Sequence, residues 1–299
     1  MPKPRKIDVL LDELSAFLRE GSAAPDAGYL NALLAHRDHL VVARAAACAA
    51  RHRLATLVDA IAASWDRCAL DGATVDKTCA AKKAIVKALD ALAFDDSSWF
   101  AQATTCVQME PVYGGSVDTG AEVRRAAIAA LGRFPWYAVS HVLVRRLGDA
   151  EASVRMAAID RIASFSGREP ELIVLTKTIA GDALDEVMGA CFRALLGIDT
   201  TGHLGFVAGY LTHESETVQT EAAFAIAESR HESAFAILSD AWETGSTQGM
   251  RASLLPAISI LRNEQSADFL RNQLNDRRFG NAAREALASY PEHLKEKAP

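Results

Sequence analysis

Residues able to do chemistry are thinly scattered along this chain, and few fall at a spacing that chemistry needs. Two His-Glu pairs come first, His213–Glu214 and His231–Glu232, because repeated pairs projecting inward from corresponding helix positions can ligate iron. They lie 18 residues apart and no third pair follows, so no metal site is expected. The five cysteines, Cys48, Cys68, Cys79, Cys106 and Cys191, are odd in number and never spaced C-x-x-C. That argues against a zinc site or a disulfide framework, and it fits a reducing, cytoplasmic setting. Trp65, Trp99, Trp136 and Trp242 could stack a base, but a net charge of −6 lacks the cationic footprint of a nucleic-acid binder. No G-x-S-x-G, Walker A, G-x-G-x-x-G or H-E-x-x-H pattern is present. No catalytic residue and no cofactor is therefore assigned, and enzymatic activity is not expected.

Two groupings remain. The loop VQMEPVYGGSVDTG (107–120) holds Gln108, Glu110, Tyr113 and the pair Gly114–Gly115, which permits positive φ and a close backbone approach. It reads either as an ordered connector with a tight turn or as a binding loop. The second grouping is basic: Lys82, Lys83, Lys87, Arg124, Arg125 and Arg133. Lys83 and Lys87 share one helix face, and Arg125 takes the register of Lys83 in the next repeat. This stripe reads either as a solvated helix face or as a seat for an acidic peptide or phosphate.

The elements that must position these groups repeat. An acidic residue is followed six positions later by a basic one inside an alanine-rich helix: Asp38/Arg44, Asp76/Lys82, Asp118/Arg124 and Asp149/Arg155. The register continues through Asp182/Met188, His213/Gln219, Gly245/Arg251 and Asp276/Ala282. Steps between successive second positions are 38, 42, 31, 33, 31, 32 and 31 residues, so the early repeats carry insertions. After each second position comes an apolar stripe at helical spacing, with small residues first, such as Ala126, Ala127, Ile128 and Leu131. Before each such helix lies another amphipathic segment, for example 137–147, 171–180, 204–211, 234–242 and 267–274. Helix, loop, helix at a period near 32 is a solenoid unit.

The stretches DTGAEVRRAAIAAL (118–131) and DAEASVRMAAIDRI (149–162) resemble the second helix of HEAT repeats, including those of phycobilin-lyase-type proteins. The resemblance spans about residues 26–290. It implies an all-α fold, a right-handed α-α superhelix of about eight helix pairs. It also implies a structural ladder in which Asp38, Asp76, Asp118 and Asp149 bridge to Arg44, Lys82, Arg124 and Arg155. Second helices of this architecture line the concave face. Deoxyhypusine hydroxylases are HEAT-like proteins that bind two irons through repeated His-Glu pairs, but here the pairs are not one repeat apart.

A single solenoid domain over 1–299 is expected, with an N-terminal capping helix within 1–25, repeats over 26–290 and a polar tail at 291–299. No apolar run approaches a membrane span, so no membrane contact is expected. The expected function is a non-enzymatic protein-binding scaffold whose partner is another protein or an acidic peptide segment. Lys83, Lys87, Arg125, Glu110, Tyr113, Gly114 and Gly115 would form its site. The alternative is a bilin-lyase-like subunit acting on, or chaperoning, a tetrapyrrole or its carrier protein.

Overall fold

A computed structural model describes residues 6–70, 72–244 and 247–295. Segments 1–5 and 296–299 of the expected cap and tail, and Gly245 of the repeat register, lie outside the described residues. The fold is all-α: 72% of the chain is helical, above the two-thirds that the repeat period demands. Two compact units form, Met1–Arg161 and Ile162–Pro299.

The first unit holds α1 (Lys6–Phe17), α2 (Ala27–Leu34), α3 (His39–Arg51), α4 (Val58–Ala69), α5 (Gly72–Val75), α6 (Ala80–Ala91) and α7 (Ser97–Ala103). Strands β1 (Met109–Val112) and β2 (Gly115–Asp118) follow, then α8 (Ala121–Leu131), α9 (Trp136–Arg146) and α10 (Ala152–Ala163), which runs across the division. The second unit holds α11 (Arg168–Ala180), α12 (Asp185–Ile198), α13 (Thr200–Ala208), α14 (Glu216–Ser229), α15 (Ala234–Glu243), α16 (Gln248–Ile260), α17 (Glu264–Gln273), α18 (Gly280–Ala288) and α19 (Glu292–Lys295).

Second helices stack on one another: α3 on α6 and α6 on α8 in the first unit, and α12, α14, α16 and α18 in turn in the second. Their small residues allow it, because Ala127, Ala158 and Ala190 are all buried, as the alanine-rich stripe requires. The helix α1 covers the outer side of α3, with Leu14 fully buried. Part of the expected polar tail is α19, whose Leu294 packs on the core and whose backbone is held by Arg271.

The repeated Asp has a local job. At every one of these positions but Asp76, whose carboxylate instead takes the N–H groups of Ala81 and Lys82, it accepts the N–H two residues on and shapes the turn into the second helix. Leu40 donates to Asp38, Gly120 to Asp118, Glu151 to Asp149, Leu184 to Asp182 and Arg278 to Asp276. At His213 the imidazole Nδ1 substitutes, accepting from Ser215 N, and His231 Nδ1 accepts from Ser233 N in the same way. Both His-Glu pairs are thus turn formers.

Burial adjusts the register at both ends. In α3 residues 41, 42, 45, 46, 48 and 49 are buried; in α6 residues 81, 82, 85, 86, 88 and 89; in α8 residues 123, 124, 127, 128, 130 and 131. Lys82 and Arg124 are therefore equivalent to Val42, not to Arg44. In the last repeat Ala283, Ala286 and Leu287 match Leu254, Ala257 and Ile258, so Gly280, not Ala282, is the partner of Arg251.

One expectation of the repeat period fails. The 107–120 segment is an antiparallel hairpin rather than plain loop, with Met109 opposite Asp118 and Val112 opposite Gly115. Each strand carries one β-branched residue, Val112 and Val117, and a two-residue turn joins them. Its second residue, Gly114, takes φ +88°, which a side chain would resist. Gly115 supplies no positive φ; it is the first residue of β2. The hairpin is an insertion between α7 and α8, so it leaves the helix stack unbroken.

Candidate partner-binding site

The hairpin has a buried base and an open tip. At the base, Lys82 is 2% exposed, and its ammonium lies 3.3 Å from Asp76. It donates to the Cys68 carbonyl at 3.0 Å and to Gln108 Oε1 at 2.7 Å. Asp76 also accepts the N–H groups of Ala81 and Lys82, capping α6. Gln108 turns its amide N–H₂ to the Asp76 carbonyl at 2.8 Å and to Glu110 Oε1 at 2.6 Å. That same carboxylate oxygen receives Thr119 Oγ1 at 2.9 Å and Thr78 N at 2.6 Å. The Gln108 amide, then the Thr119 hydroxyl and the Thr78 N–H, hold the Glu110 carboxyl below the usual carboxylate range.

Arg124 closes the other side. Its guanidinium is 1% exposed and reaches Asp118 Oδ2, Asp149 Oδ1 and the Cys106 carbonyl, each at 2.7 Å. Burial pushes Asp118 up, but the Gln108 N–H and the guanidinium outweigh it and hold the carboxyl below its ordinary value. Arg155 donates to the Asp149 and Ala150 carbonyls. Asp76 thus meets Lys82 and Asp118 meets Arg124, while the Asp149 carboxylate is taken by Arg124 and Arg155 reaches the Asp149 backbone carbonyl. Asp38 and Arg44 do not meet: Asp38 stays on its turn, while the Arg44 guanidinium donates to Ser15 Oγ of α1. In the second unit, Asp182 is met by Lys177 from the end of α11, at 2.7 Å.

The tip is the reverse of the base. Tyr113 is 108% exposed, and Val107, Met109, Val112 and Val117 are all open to solvent, as is Leu70 after α4. The Thr119 N–H to Gln108 carbonyl bond fixes which residues face inward across the ladder. Pro111 consequently faces outward on β1, where it offers no N–H, so a partner strand cannot extend that edge. A cleft of about 400 Å³ opens beside the base, lined by Trp65, Ala69, Gln102, Thr105, Cys106 and Met109 among others.

Of the expected site residues, Lys83 is half-buried and Lys87 exposed on α6, and neither makes an ion pair among the described residues. Arg125 on α8 is exposed and bonds Glu122 at 2.5 Å. Glu110 lies in the base, committed to holding it, and Gly114 sets the turn. Arg133 stacks its guanidinium on Phe134, 4.7 Å from the ring centre, and pairs with Asp90. Sequence reasoning placed Gln108 in this loop but missed its role. Thr78 and Thr119 it did not single out, and only the tertiary fold brings them together.

No protein-family model matches the chain, and no curated protein does. Solved structures do. Escherichia coli YibA is 14% identical, with 97% of this chain and 99% of that one aligned and a TM-score of 0.45. The CpcE–CpcF complex of phycocyanin lyase from Nostoc sp. is 16% identical over 92% and 93%, with a TM-score of 0.34. Human deoxyhypusine hydroxylase is 13% identical over 94% and 97%, with a TM-score of 0.28. At these scores none of them assigns a function or a residue role to this chain. Among the described residues no helix is long and apolar enough to cross a membrane, and no group of three or more His, Cys, Asp or Glu converges as metal ligands would.

Proposed function

We propose that this chain is a non-enzymatic, protein-binding adaptor that works in the cytoplasm and holds an acidic protein segment at the hairpin and the adjoining faces of α6 and α8. The observation that carries this reading is the contrast within the hairpin. Its base is fixed by a buried polar network, while Tyr113 stands fully in water at its tip beside a half-exposed Val112. An exposed apolar cluster on a rigid support marks a recognition surface, because the ordering cost is met before the partner arrives. Tyrosine suits such a tip, joining a large apolar face to a hydroxyl. Lys83, Lys87 and Arg125 supply positive charge on the two helices that the hairpin base joins, in a chain whose net charge is −6. Glu110 and Gly114 position the tip.

The test compares proteins co-purified from the native cell by wild type, by a tip variant (Val112→Ser with Tyr113→Ala) and by a charge reversal (Lys87→Glu with Arg125→Glu). Both variants should melt close to wild type, since exposed side chains contribute little to stability. Both should lose the same partner. Undiminished capture by both variants would refute the site.

A further inference from the structure

The hairpin has two edges, and they are not alike. Met109 stands opposite Asp118 and Glu110 opposite Val117, and Thr119 N–H donates to the Gln108 carbonyl. In an antiparallel ladder, opposite residues alternate between pairs that exchange hydrogen bonds and pairs whose backbone groups point away. Gln108, Glu110 and Val112 therefore spend their backbone on Thr119, Val117 and Gly115. Met109 and Pro111 turn theirs outward along β1, and Ser116 and Asp118 turn theirs outward along β2.

The β1 edge is closed by Pro111, which has no N–H to offer. The β2 edge has no guard of any kind. Natural sheets blunt a free edge with proline, a charged side chain or a bulge. From Gly114 to Val117 there is neither proline nor charge, and the register runs without a bulge. Gly115, Ser116 and Val117 are exposed. Among the described residues, no hydrogen bond engages the backbone N–H or C=O of Ser116.

We propose that β2 receives an extended acidic segment of the partner as a third strand, hydrogen-bonded to the outward N–H and C=O groups of Ser116 and Asp118. The inference rests on the adaptor reading and gives it a mode of recognition. A row of unpaired ladder groups is complemented by another extended main chain, whose alternate side chains then carry the specificity. The pairing stretch is too short to hold a whole sheet, so it suits a single segment. Charge names that segment. The chain continues from β2 directly into α8, which exposes Arg125, and Lys87 is exposed on the α6 beneath it in the stack. A strand that runs past Asp118 meets cations, so acidic residues beside the paired stretch are favoured.

The probe is a short synthetic peptide alternating glutamate and valine, labelled for fluorescence anisotropy, with the full chain as receptor. Its comparator has the same side chains but N-methylated backbone at alternate residues, which removes strand pairing and leaves the charge. The parent peptide should bind and the N-methylated one should not. On the protein, Ser116→Pro removes one edge N–H that the hairpin does not use, and should weaken the peptide about tenfold or more. Ser116→Ala keeps that N–H and should bind as wild type does. Saturating peptide should slow amide exchange at Ser116 and Asp118 and leave Val117 unchanged. Equal binding of the two peptides, or no binding of either, would overturn the proposal, and the peptide comparison holds even where Ser116→Pro disturbs the hairpin. So would a wild-type dimer, seen by sedimentation, that Ser116→Pro dissociates, since the occupant of the edge is then a second copy. Lys87→Glu with Arg125→Glu separates the two readings. Peptide binding that survives this reversal but not N-methylation keeps the strand and refutes the acidic specificity of the adaptor.

Discussion

Replacing Arg124 with methionine tests the buried base most directly. The substitution keeps the volume of the side chain's stem and removes a guanidinium that is 1% exposed. Two carboxylates, Asp118 and Asp149, lose a partner at 2.7 Å each. Removing one member of a buried ion pair costs roughly 3–5 kcal/mol. Here the remaining groups pull toward the lower end. Asp118 keeps the N–H groups of Gln108 and Gly120, and Asp149 keeps that of Glu151 and the Arg146 guanidinium at 3.3 Å. The Cys106 carbonyl also loses its donor, adding about 1 kcal/mol. The expected loss is about 3–4 kcal/mol. In a cooperative unit of this size that lowers Tm by roughly 10 °C. Urea melts should show a fall in midpoint at constant slope. Arg125→Met, which removes an exposed pair on the same helix, serves as control and should cost less than about 1 kcal/mol. The difference should also shrink in acid. Asp118 is held below its ordinary value of 3.8, so its contribution is complete above that pH and is lost as pH falls through the depressed folded value. An Arg124→Met variant no less stable than Arg125→Met would show that the base is not the buried network described.

Ala127 is fully buried in α8, and Ala127→Leu should overpack the helix stack at a cost of roughly 1–3 kcal/mol, read by thermal melting. At Gly72 a Cβ would overlap Gln108 Oε1, so Gly72→Ala should displace the amide and leave the Lys82 ammonium short of an acceptor, costing roughly 1–3 kcal/mol in urea melts. Glu110 is also held below its ordinary value of 4.5, so its grip on the hairpin should persist above that pH and fail as pH drops through the lower folded value. Amide exchange at Thr78 and Thr119 should then speed up in acid, after correction for intrinsic rates, while amides in the centre of α14 stay protected.

Much of the fold was legible because a helix pair repeats its own reasons. The Asp that shapes most of the turns and the small residues that let second helices meet recur with the period, and first-helix boundaries fell within a few residues of those read from amphipathicity. The Asp38–Arg44 pairing misled because spacing is not register. In α8, Arg124 lies one turn from the helix start and can return to Asp118; α3 begins directly after Asp38, which leaves Arg44 too far along the helix to reach back. The hairpin escaped notice because each strand is only four residues, too short for its alternation to stand out, and Gly-Gly drew the turn one residue too far. Gln108 and Glu110 were visible as candidates, but their fixed duty was not. It depends on Thr78, which lies 32 residues before Glu110, and on the way α6 starts.

That start stores tension. Thr78 and Cys79 both adopt left-handed backbone, at φ 57° and 51°, without being glycine. Each such residue costs roughly 1–2 kcal/mol. The hydrogen bond from Thr78 N to Glu110 is what the hairpin contributes toward keeping them there. The hairpin is therefore a catch on a wound spring. Loss of the Glu110 carboxylate in acid is expected to loosen the first turn of α6 before the helices stacked on it.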